Sequence, residues 1–171
     1  IIVDSVDVVF NRLEAKARVT QAPEDRAKAI ATKTAELDVY DRSDIVITVT
    51  DADAAILHLE SPQLATFTIP NIHPHEDPVA IPEKHDKQLI FIGSFARPGG
   101  ETNADAMAWF CAEILPLIVD AEPGVRLQII GGSPTPEITA LASDRVEVLG
   151  FVPETRPLLA TSAISIAPLR F

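Results

Sequence analysis

The segment Leu89-Ile90-Phe91-Ile92-Gly93-Ser94-Phe95 decides how the second half of this chain is interpreted. Four consecutive apolar residues followed by a glycine are typical of a strand that is buried on both faces and ends in a loop. Further apolar strands are predicted at 127–130, 146–149 and 164–167, with helices at about 103–119, 136–142 and 156–160. Strands that alternate with helices predict an α/β fold, in which a parallel sheet carries helices on its faces.

The first half of the chain shows the same alternation with longer helices. Its predicted elements are strands at 1–3, 45–49 and 66–69 and a helical region at 6–41. Pro23 suits the first turn of a second helix, so the helical region should break just before it. Thr50 and Asp53 have capping-box spacing, with Asp in place of the usual Glu, so Thr50 should begin another helix. Residues 1–69 are therefore a second α/β part.

A proline-rich segment separates these two parts. Residues 70–88 contain four prolines and three of the four histidines, without a sustained apolar period. Proline fixes φ and removes a backbone donor, so such a segment is stiff and extended. The predicted organisation is one Rossmann-like part at 1–69, an interdomain linker at 70–88 and a second Rossmann-like part at 89–171.

Composition excludes several classes of function. The chain has 171 residues, 14 basic and 25 acidic, with a net charge of -11. Nucleic acids and anionic membranes require a cationic face, so neither is an expected partner. No apolar run approaches the roughly 20 residues that span a bilayer. The lone Cys111 and the opening residues 1–4, which have no basic leader pattern, favour a cytoplasmic location.

The candidate ligand site is the set of loops that follow the strands of the second part, because open parallel sheets bind ligands there. After Ile92, Gly93 and Ser94 can bring the backbone close to a phosphate, and Arg97 can add a positive charge. The structural alternative is a simple turn in which Asn103 is only a helix N-cap. The loops at 131–133 and 150–153 are, taken singly, more typical of tight connections.

For the other residues that could take part in binding or catalysis, a structural role is at least as well supported as a functional one. Asp4 and Asp7 follow the first strand and can orient a hydroxyl or act as a base, although a structural role is favoured, for Asp7 as a helix-start residue. The pair His73 and His75 lacks a third ligand at motif spacing, so no metal site is predicted. Cys111 has no base beside it in any motif, and Trp109 is expected to pack in a helix core.

The order of motifs resembles the C-terminal domain of retaining glycosyltransferases of the GT-B fold, family 4. The segments that carry the resemblance are 89–95, 103–106, 109–110, 114–116, 123–127, 130–132, 146–152 and 167–170. Upstream, 44–50 and 69–71 resemble the end of that family's N-terminal domain and the crossing to the second domain. The fold expected from this resemblance is an incomplete GT-B fold.

The resemblance implies transfer of a sugar from a nucleotide-sugar donor to an acceptor, without a metal or other cofactor. Carried over by position, Gly93 and Ser94 approach the diphosphate, with Arg97 as a weaker candidate. Phe151 and Val152 present their loop to the nucleobase. The two aspartates of the first part, Asp4 and Asp7, face the acceptor side.

The family's Glu-seven-residues-Glu pair follows the Pro-Leu-Arg segment, and no glutamate of this sequence has another eight positions later. The chain is therefore expected to be inactive alone and to contain no catalytic residue. Unpaired strand edges of a partial sheet predict a homodimer or an exchanged assembly. The alternative function is a noncatalytic α/β binding or interaction module. A nicotinamide-dependent oxidoreductase is disfavoured because no three-glycine fingerprint follows a strand.

Overall fold

The computed structural model describes residues 1–72, 85–96 and 100–171. These residues form two compact units, one within 1–72 and the other within 85–170. Both units are α/β, with parallel sheets flanked by helices, as the sequence predicts. In the described part of the chain, no helix is both long and apolar enough to cross a membrane.

The first unit contains a three-stranded parallel sheet in the order β1-β2-β3. Its strands are β1 Ile2–Ser5, β2 Ile45–Thr48 and β3 Thr66–Thr68, and its helices are α1 Val9–Thr20, α2 Pro23–Asp41 and α3 Asp51–Glu60. Among the described residues, β1 and β3 each pair on one side only. Ile2 on β1 and Phe67 on β3 are 65% and 68% exposed.

Local sequence signals set the helix ends of this unit. Gln21 adopts a left-handed conformation with φ of 56° and ends α1, and its N–H donates to the carbonyl of Ala17 at 3.0 Å. Pro23 occupies the first turn of α2, as predicted. Thr50 caps α3, because its hydroxyl accepts from the N–H of Asp53 at 3.1 Å. The predicted cap is therefore confirmed.

The core of the first unit is small and comprises the buried residues Val8, Phe10, Tyr40, Val46 and Leu57. Beside this core, Lys33 on α2 forms ion pairs with the two neighbouring helices. Its ammonium contacts Glu14 of α1 at 3.2 Å and Glu60 of α3 at 2.8 Å, and lies 5.3 Å from the ring centroid of Phe10. The hydrogen bond with Glu60 is the main cause that raises the pKa of Lys33. One cation thus connects all three helices.

The second unit contains a four-stranded parallel sheet in the order β6-β5-β4-β7. The strands are β4 His85–Ile92, β5 Arg126–Ile130, β6 Val146–Gly150 and β7 Ser162–Ser165. The helices are α4 Glu101–Trp109, α5 Leu115–Ala121, α6 Pro136–Thr139 and α7 Arg156–Thr161. Strands β4 and β7 both begin earlier than predicted, because His85 pairs with Ser162 beyond the apolar runs. Residues 85–88 of the predicted linker therefore belong to β4.

The predicted helix at 103–119 is interrupted by a π-helical turn at Phe110–Ile114 between α4 and α5. Pro116 lies in the first turn of α5 and has no N–H to donate into the preceding turn. The N–H of Leu115 donates to the carbonyl of Phe110 in the wider π pattern. The wider turn accommodates the proline within a continuous helical segment.

The larger buried cluster of the second unit lies on one face of the sheet, where alternate strand residues pack against the helices, and Ile90 and Ile130 of the opposite face are also buried. Its largest members include Phe91, Phe95, Met107, Phe110 and Leu127. Trp109 is only partly buried and lies outside this buried cluster, which differs from the predicted core packing. The guanidinium carbon of Arg170 lies 5.7 Å from the centroid of its ring.

Candidate functional site

The strand order of the second unit reverses between β4 and β7. From β4 the chain passes to β5 and β6 on one side, and then returns to place β7 on the other side of β4. In an open parallel sheet, ligands bind beyond the carboxyl ends of the strands at this reversal. We call the space there, between the loop at 93–96 and the segment at 166–170, the switch-point crevice.

Three glycine loops meet at this edge of the sheet. The N–H of Gly93 donates to the carbonyl of Ile130 at 2.9 Å, and the N–H of Gly131 donates to the carbonyl of Gly150 at 2.8 Å. A Cβ added to Gly131 would lie 1.8 Å from the carbonyl oxygen of Gly93. Glycine at 131 is thus required for the close approach of the loops after β4 and β5. The structure brings together the three loops that the sequence singled out.

The loop at 93–96 is attached to the sheet and to α4. Phe95 is 1% exposed, and its N–H donates to the carbonyl of Gly132 at 3.1 Å. Ser94 is exposed, and its hydroxyl accepts from the N–H of Ala96 at 3.2 Å. Arg97, the predicted cation of this loop, lies outside the described residues.

Asn103 has a different role from the predicted helix cap. Gly100 is the N-cap of α4, and Asn103 lies inside the first turn. The side-chain amide of Asn103 donates to the carbonyl of Ser94 at 2.8 Å. A Cβ added to Gly93 would meet this amide nitrogen at 2.8 Å. Asn103 therefore secures the loop after β4 instead of capping its own helix.

Phe151 and Val152 follow β6 at the same edge of the sheet. Gly150 has φ of +68°, a left-handed conformation that favours glycine, and it turns the chain out of the strand. Phe151 is 75% exposed, and Val152 is partly buried. A large aromatic ring that faces solvent beside the glycine loops provides a flat apolar surface for a ligand.

In the first unit, Asp4 and Asp7 are both exposed, and Asp4 lies within β1. The carboxylate of Asp7 accepts from Nε of Arg12 at 3.1 Å. Nearby, the hydroxyls of Ser5 and Tyr40 share a buried hydrogen bond of 2.8 Å. Burial is the main cause that raises the pKa of Tyr40. The N-cap of α1 is Val8 and has no side-chain cap, so Asp7 forms an ion pair with Arg12 in place of the expected helix-start role, and Asp4 lies exposed at the surface.

The sequence did not predict a cluster formed by Asp105, Trp109 and Arg170 beside the switch-point crevice. Arg170 follows β7, and its Nε donates to the Asp105 carboxylate on α4 at 2.8 Å. Its guanidinium carbon lies 5.7 Å from the ring centroid of Trp109. Asp105 and Arg170 are 65 residues apart, so no local pattern links them.

Metal and thiol chemistry have no support among the residues that the structure describes. Within these residues, no group of three or more His, Cys, Asp or Glu side chains is arranged to hold a metal ion. His73 and His75 lie outside them. Cys111 is partly buried, and burial raises the pKa of its thiol to about 11. A thiol with that pKa stays protonated near neutral pH and is a poor nucleophile.

A large surface depression lies elsewhere in the second unit. A cavity of about 750 Å³ is lined by residues that include Arg126, Gln128, Arg145 and Glu147, near the amino ends of β5 and β6. It contains none of the glycine loops. Because ligands of parallel sheets bind at the carboxyl ends, the switch-point crevice is the better candidate site.

Comparison with solved structures identifies a shared fold. The chain is similar to TarM, with a TM-score of 0.58 and 18% identity over 79% of this chain and 27% of TarM. The same values hold for a mutant of S. aureus TarM in complex with fondaparinux, alpha-GlcNAc-glycerol and UDP. The chain thus spans 27% of the length of these proteins. The expected α/β fold of a partial GT-B type is confirmed.

Comparison with family models assigns the second unit. No curated protein matches the chain significantly by sequence. The model described as Glycosyl transferases group 1 matches residues 86–171. The match begins in β4 and contains all four strands at whose carboxyl ends the candidate loops lie. With the second unit matched from its first strand onward, the chain belongs to the group 1 glycosyl transferases.

Proposed function

We propose that the chain is part of a family 4 glycosyltransferase, which moves a sugar from a nucleotide-sugar donor to an acceptor with retention. The observation that carries this proposal is the position of Gly93 and Ser94. They follow β4 at the switch point and lie within the matched residues 86–171. A phosphate-bearing ligand is the class that such a loop before a helix accommodates.

The strand orders support the proposed domain organisation. The order β6-β5-β4-β7 is that of the first four strands of a doubly wound domain, and β1-β2-β3 is the consecutive order of its later strands. Residues 1–69 are accordingly the end of an N-terminal Rossmann-like domain, and residues 89–171 are the first half of the C-terminal domain. Residues 70–88 are the crossing between the two domains, of which 85–88 already belong to β4.

In this proposal the donor binds through backbone and charge. Gly93 and Ser94 approach the diphosphate, with Arg97 as an additional cation, and the amino end of α4 favours the negative charge of the leaving group. Phe151 and Val152 lie beside the nucleobase, which the exposed ring of Phe151 supports. Asp4 and Asp7 lie on the acceptor side. The proposal requires no cofactor.

The chain by itself lacks turnover in this proposal, because none of its 171 residues forms the Glu-seven-residues-Glu pair of the family. Its partial sheet in the first unit, with exposed Ile2 and Phe67 on its outer strands, supports a homodimer or an exchanged assembly. The single cysteine supports a cytoplasmic location. Light scattering that finds a monomer at micromolar concentration would contradict the assembly.

Phe151 offers a sharp test of donor binding. UDP, GDP and ADP are titrated into the chain by calorimetry, and at least one is expected to bind. Phe151→Ala is expected to weaken that nucleotide about tenfold, since stacking of a base on an aromatic ring contributes about 1–3 kcal/mol. Because Phe151 is 75% exposed, stability should change little. Phe67→Ala, which removes a ring that is 68% exposed on β3, is the matched control with unchanged affinity.

Two outcomes would count against the proposal. If none of the three nucleotides binds, the noncatalytic interaction module becomes the better interpretation. If the chain alone transfers sugar from nucleotide-sugar donors with robust turnover, the expectation of inactivity is wrong.

A further inference from the structure

The first two turns of α4 are attached to both segments that border the switch-point crevice. Asn103 donates to the carbonyl of Ser94 in the loop after β4. Asp105 accepts from Arg170 in the segment after β7. Residues two apart on a helix point to different sides of it. The amino-terminal part of α4 therefore lies between the two segments and contacts each through one side chain.

Arg170 is held on two of its surfaces. Its Nε donates to Oδ2 of Asp105 at 2.8 Å, and its Nη2 donates to Oδ1, so the pair is bidentate. Trp109 lies one helical turn after Asp105 and therefore on the same side of α4. The guanidinium covers its ring at 5.7 Å. A planar guanidinium can make both contacts at once, whereas a lysine ammonium cannot reproduce the bidentate geometry.

The pair is partly shielded from solvent. The side chains of Arg170 and Asp105 are 31% and 24% exposed. The hydrogen bonds that the guanidinium donates to Asp105 are the main cause that raises the pKa of Arg170. The guanidinium thus remains charged across the working pH range.

Regular sheet pairing gives way just after β7. The N–H of Ile166 still donates to the carbonyl of Ile90 at 2.9 Å. Beyond it, the N–H of Leu169 donates to the carbonyl of Ala167 at 2.9 Å, which is a local turn. Long-range contacts of Arg170 with Asp105 and Trp109 fix the end of this segment.

We propose that Asp105 and Arg170 are positioning residues for nucleotide binding. Their pair fixes the segment at 167–170 against α4, while Asn103 fixes the loop at 93–96 against the same helix. Together these contacts set the width of the switch-point crevice. The inference rests on the proposed function, in which a nucleoside diphosphate occupies that crevice.

The test compares nucleotide affinity with stability. UDP, GDP and ADP are titrated into the wild-type chain, Asp105→Asn, Arg170→Met and Arg170→Lys. The first two variants are expected to weaken the bound nucleotide about tenfold, and the lysine variant is expected to give an intermediate loss. Urea unfolding of each variant identifies those that remain folded. Arg170→Lys keeps the positive charge, so its nucleotide affinity still tests the role of the pair if Arg170→Met does not fold.

Trp109 reports on the pair independently of binding. It is the single tryptophan of the chain. Loss of the covering guanidinium in Arg170→Met should shift its fluorescence emission toward that of a more hydrated indole, while the urea midpoint still shows a folded chain. An unchanged emission spectrum in a folded Arg170→Met would contradict the arrangement.

A charge exchange separates positioning from direct contact. Asp105→Arg combined with Arg170→Asp restores an ion pair at the same place, so it should recover most of the affinity lost in the single variants. If Arg170 contacts the diphosphate itself, the exchange leaves affinity low and the positioning role is wrong.

Arg145→Met is the matched control. Arg145 donates to the carbonyl of Val125 at 3.4 Å, near the amino ends of the strands. This substitution should lower stability without changing nucleotide affinity.

The outcomes distinguish the inference from the proposed function. If the wild-type chain binds none of the three nucleotides, the proposed function and this inference are both overturned. If the wild type binds and the folded Asp105 and Arg170 variants bind equally well, only the inference is overturned.

Discussion

A Cβ at Gly131 would lie 1.8 Å from the carbonyl oxygen of Gly93, so these two glycines mark the closest approach between the loops after β4 and β5. The same hypothetical atom would lie 2.9 Å from Cε2 of the buried Phe95 ring. The obstacle is backbone on one side and a packed ring on the other. Neither can move without displacing the loop at 93–96.

Gly131→Ala is expected to destabilise the chain by about 1–3 kcal/mol, the usual cost of inserting atoms into a packed region. The reason is the clash with the Gly93 carbonyl, which also shifts the candidate phosphate loop. Urea unfolding measures the change. Gly132→Ala is the matched control, because a Cβ there meets nothing within 4 Å. Equal stability of the two variants would contradict the described approach.

Thr50→Ala is expected to destabilise the chain by about 1 kcal/mol, because α3 loses the hydroxyl that accepts from the N–H of Asp53. Thr34→Ala is the control. The Thr34 hydroxyl donates to the carbonyl of Ile30 inside α2, where alanine is a good helix former. Thermal unfolding should therefore show a loss for Thr50→Ala and little change for Thr34→Ala. The reverse order would contradict the capping role.

Lys33→Met is expected to cost about 1 kcal/mol and to reduce the salt dependence of stability, because it removes the cation shared by Glu14 and Glu60. Urea unfolding at low and high salt measures both effects. Arg42→Met is the control, since the Arg42 and Asp38 side chains are 69% and 63% exposed and such pairs contribute little. A salt dependence that is the same in Lys33→Met as in the wild type would argue against the shared cation.

Cys111 should make stability fall at alkaline pH. Burial raises the pKa of its thiol from the ordinary 9.0 to about 11, so the unfolded chain loses this proton first as the pH rises. The folded state then binds more protons than the unfolded state, and its stability declines between pH 9 and about 11. Below pH 9 both states are protonated, and the thiol contributes no pH dependence.

Cys111→Ala isolates this contribution. The alanine variant keeps the other alkaline titrations, including those of Tyr40 and Lys33, whose pKa values are also raised. Between pH 9 and about 11 the wild type should lose free energy of unfolding that the alanine variant does not lose. The difference between the two free energies should therefore shift in favour of the variant as the pH rises. A difference that stays constant in urea unfolding would show that the thiol is not shielded by the fold.

Much of the architecture follows from local rules that the sequence carries. Pro23 and Thr50 have conformational preferences and hydrogen-bonding groups that act over a few residues, so both helix starts were predictable. Apolar strands alternating with helices predicted parallel sheets, because strands buried on both faces need helices on each side. The glycine loops at 93, 131 and 150 were recognisable because each follows such a strand.

Contacts between distant segments decided the remaining features. The starts of β4 and β7 depend on the pairing of His85 with Ser162, which apolar patterning does not encode. Asn103 has the residue type of a cap, yet its amide donates to Ser94 because the loop after β4 packs against α4.

The sequence by itself determined the fold class, the starts of α2 and α3 and the strand ends that the glycine loops follow, since these depend on periodicity and on single-residue stereochemistry. Only the tertiary structure decided that Asp105 and Arg170 meet over Trp109. A guanidinium pairs with whichever carboxylate the fold brings within reach, and these two residues lie 65 positions apart, which is too far for a local sequence pattern to indicate the pair.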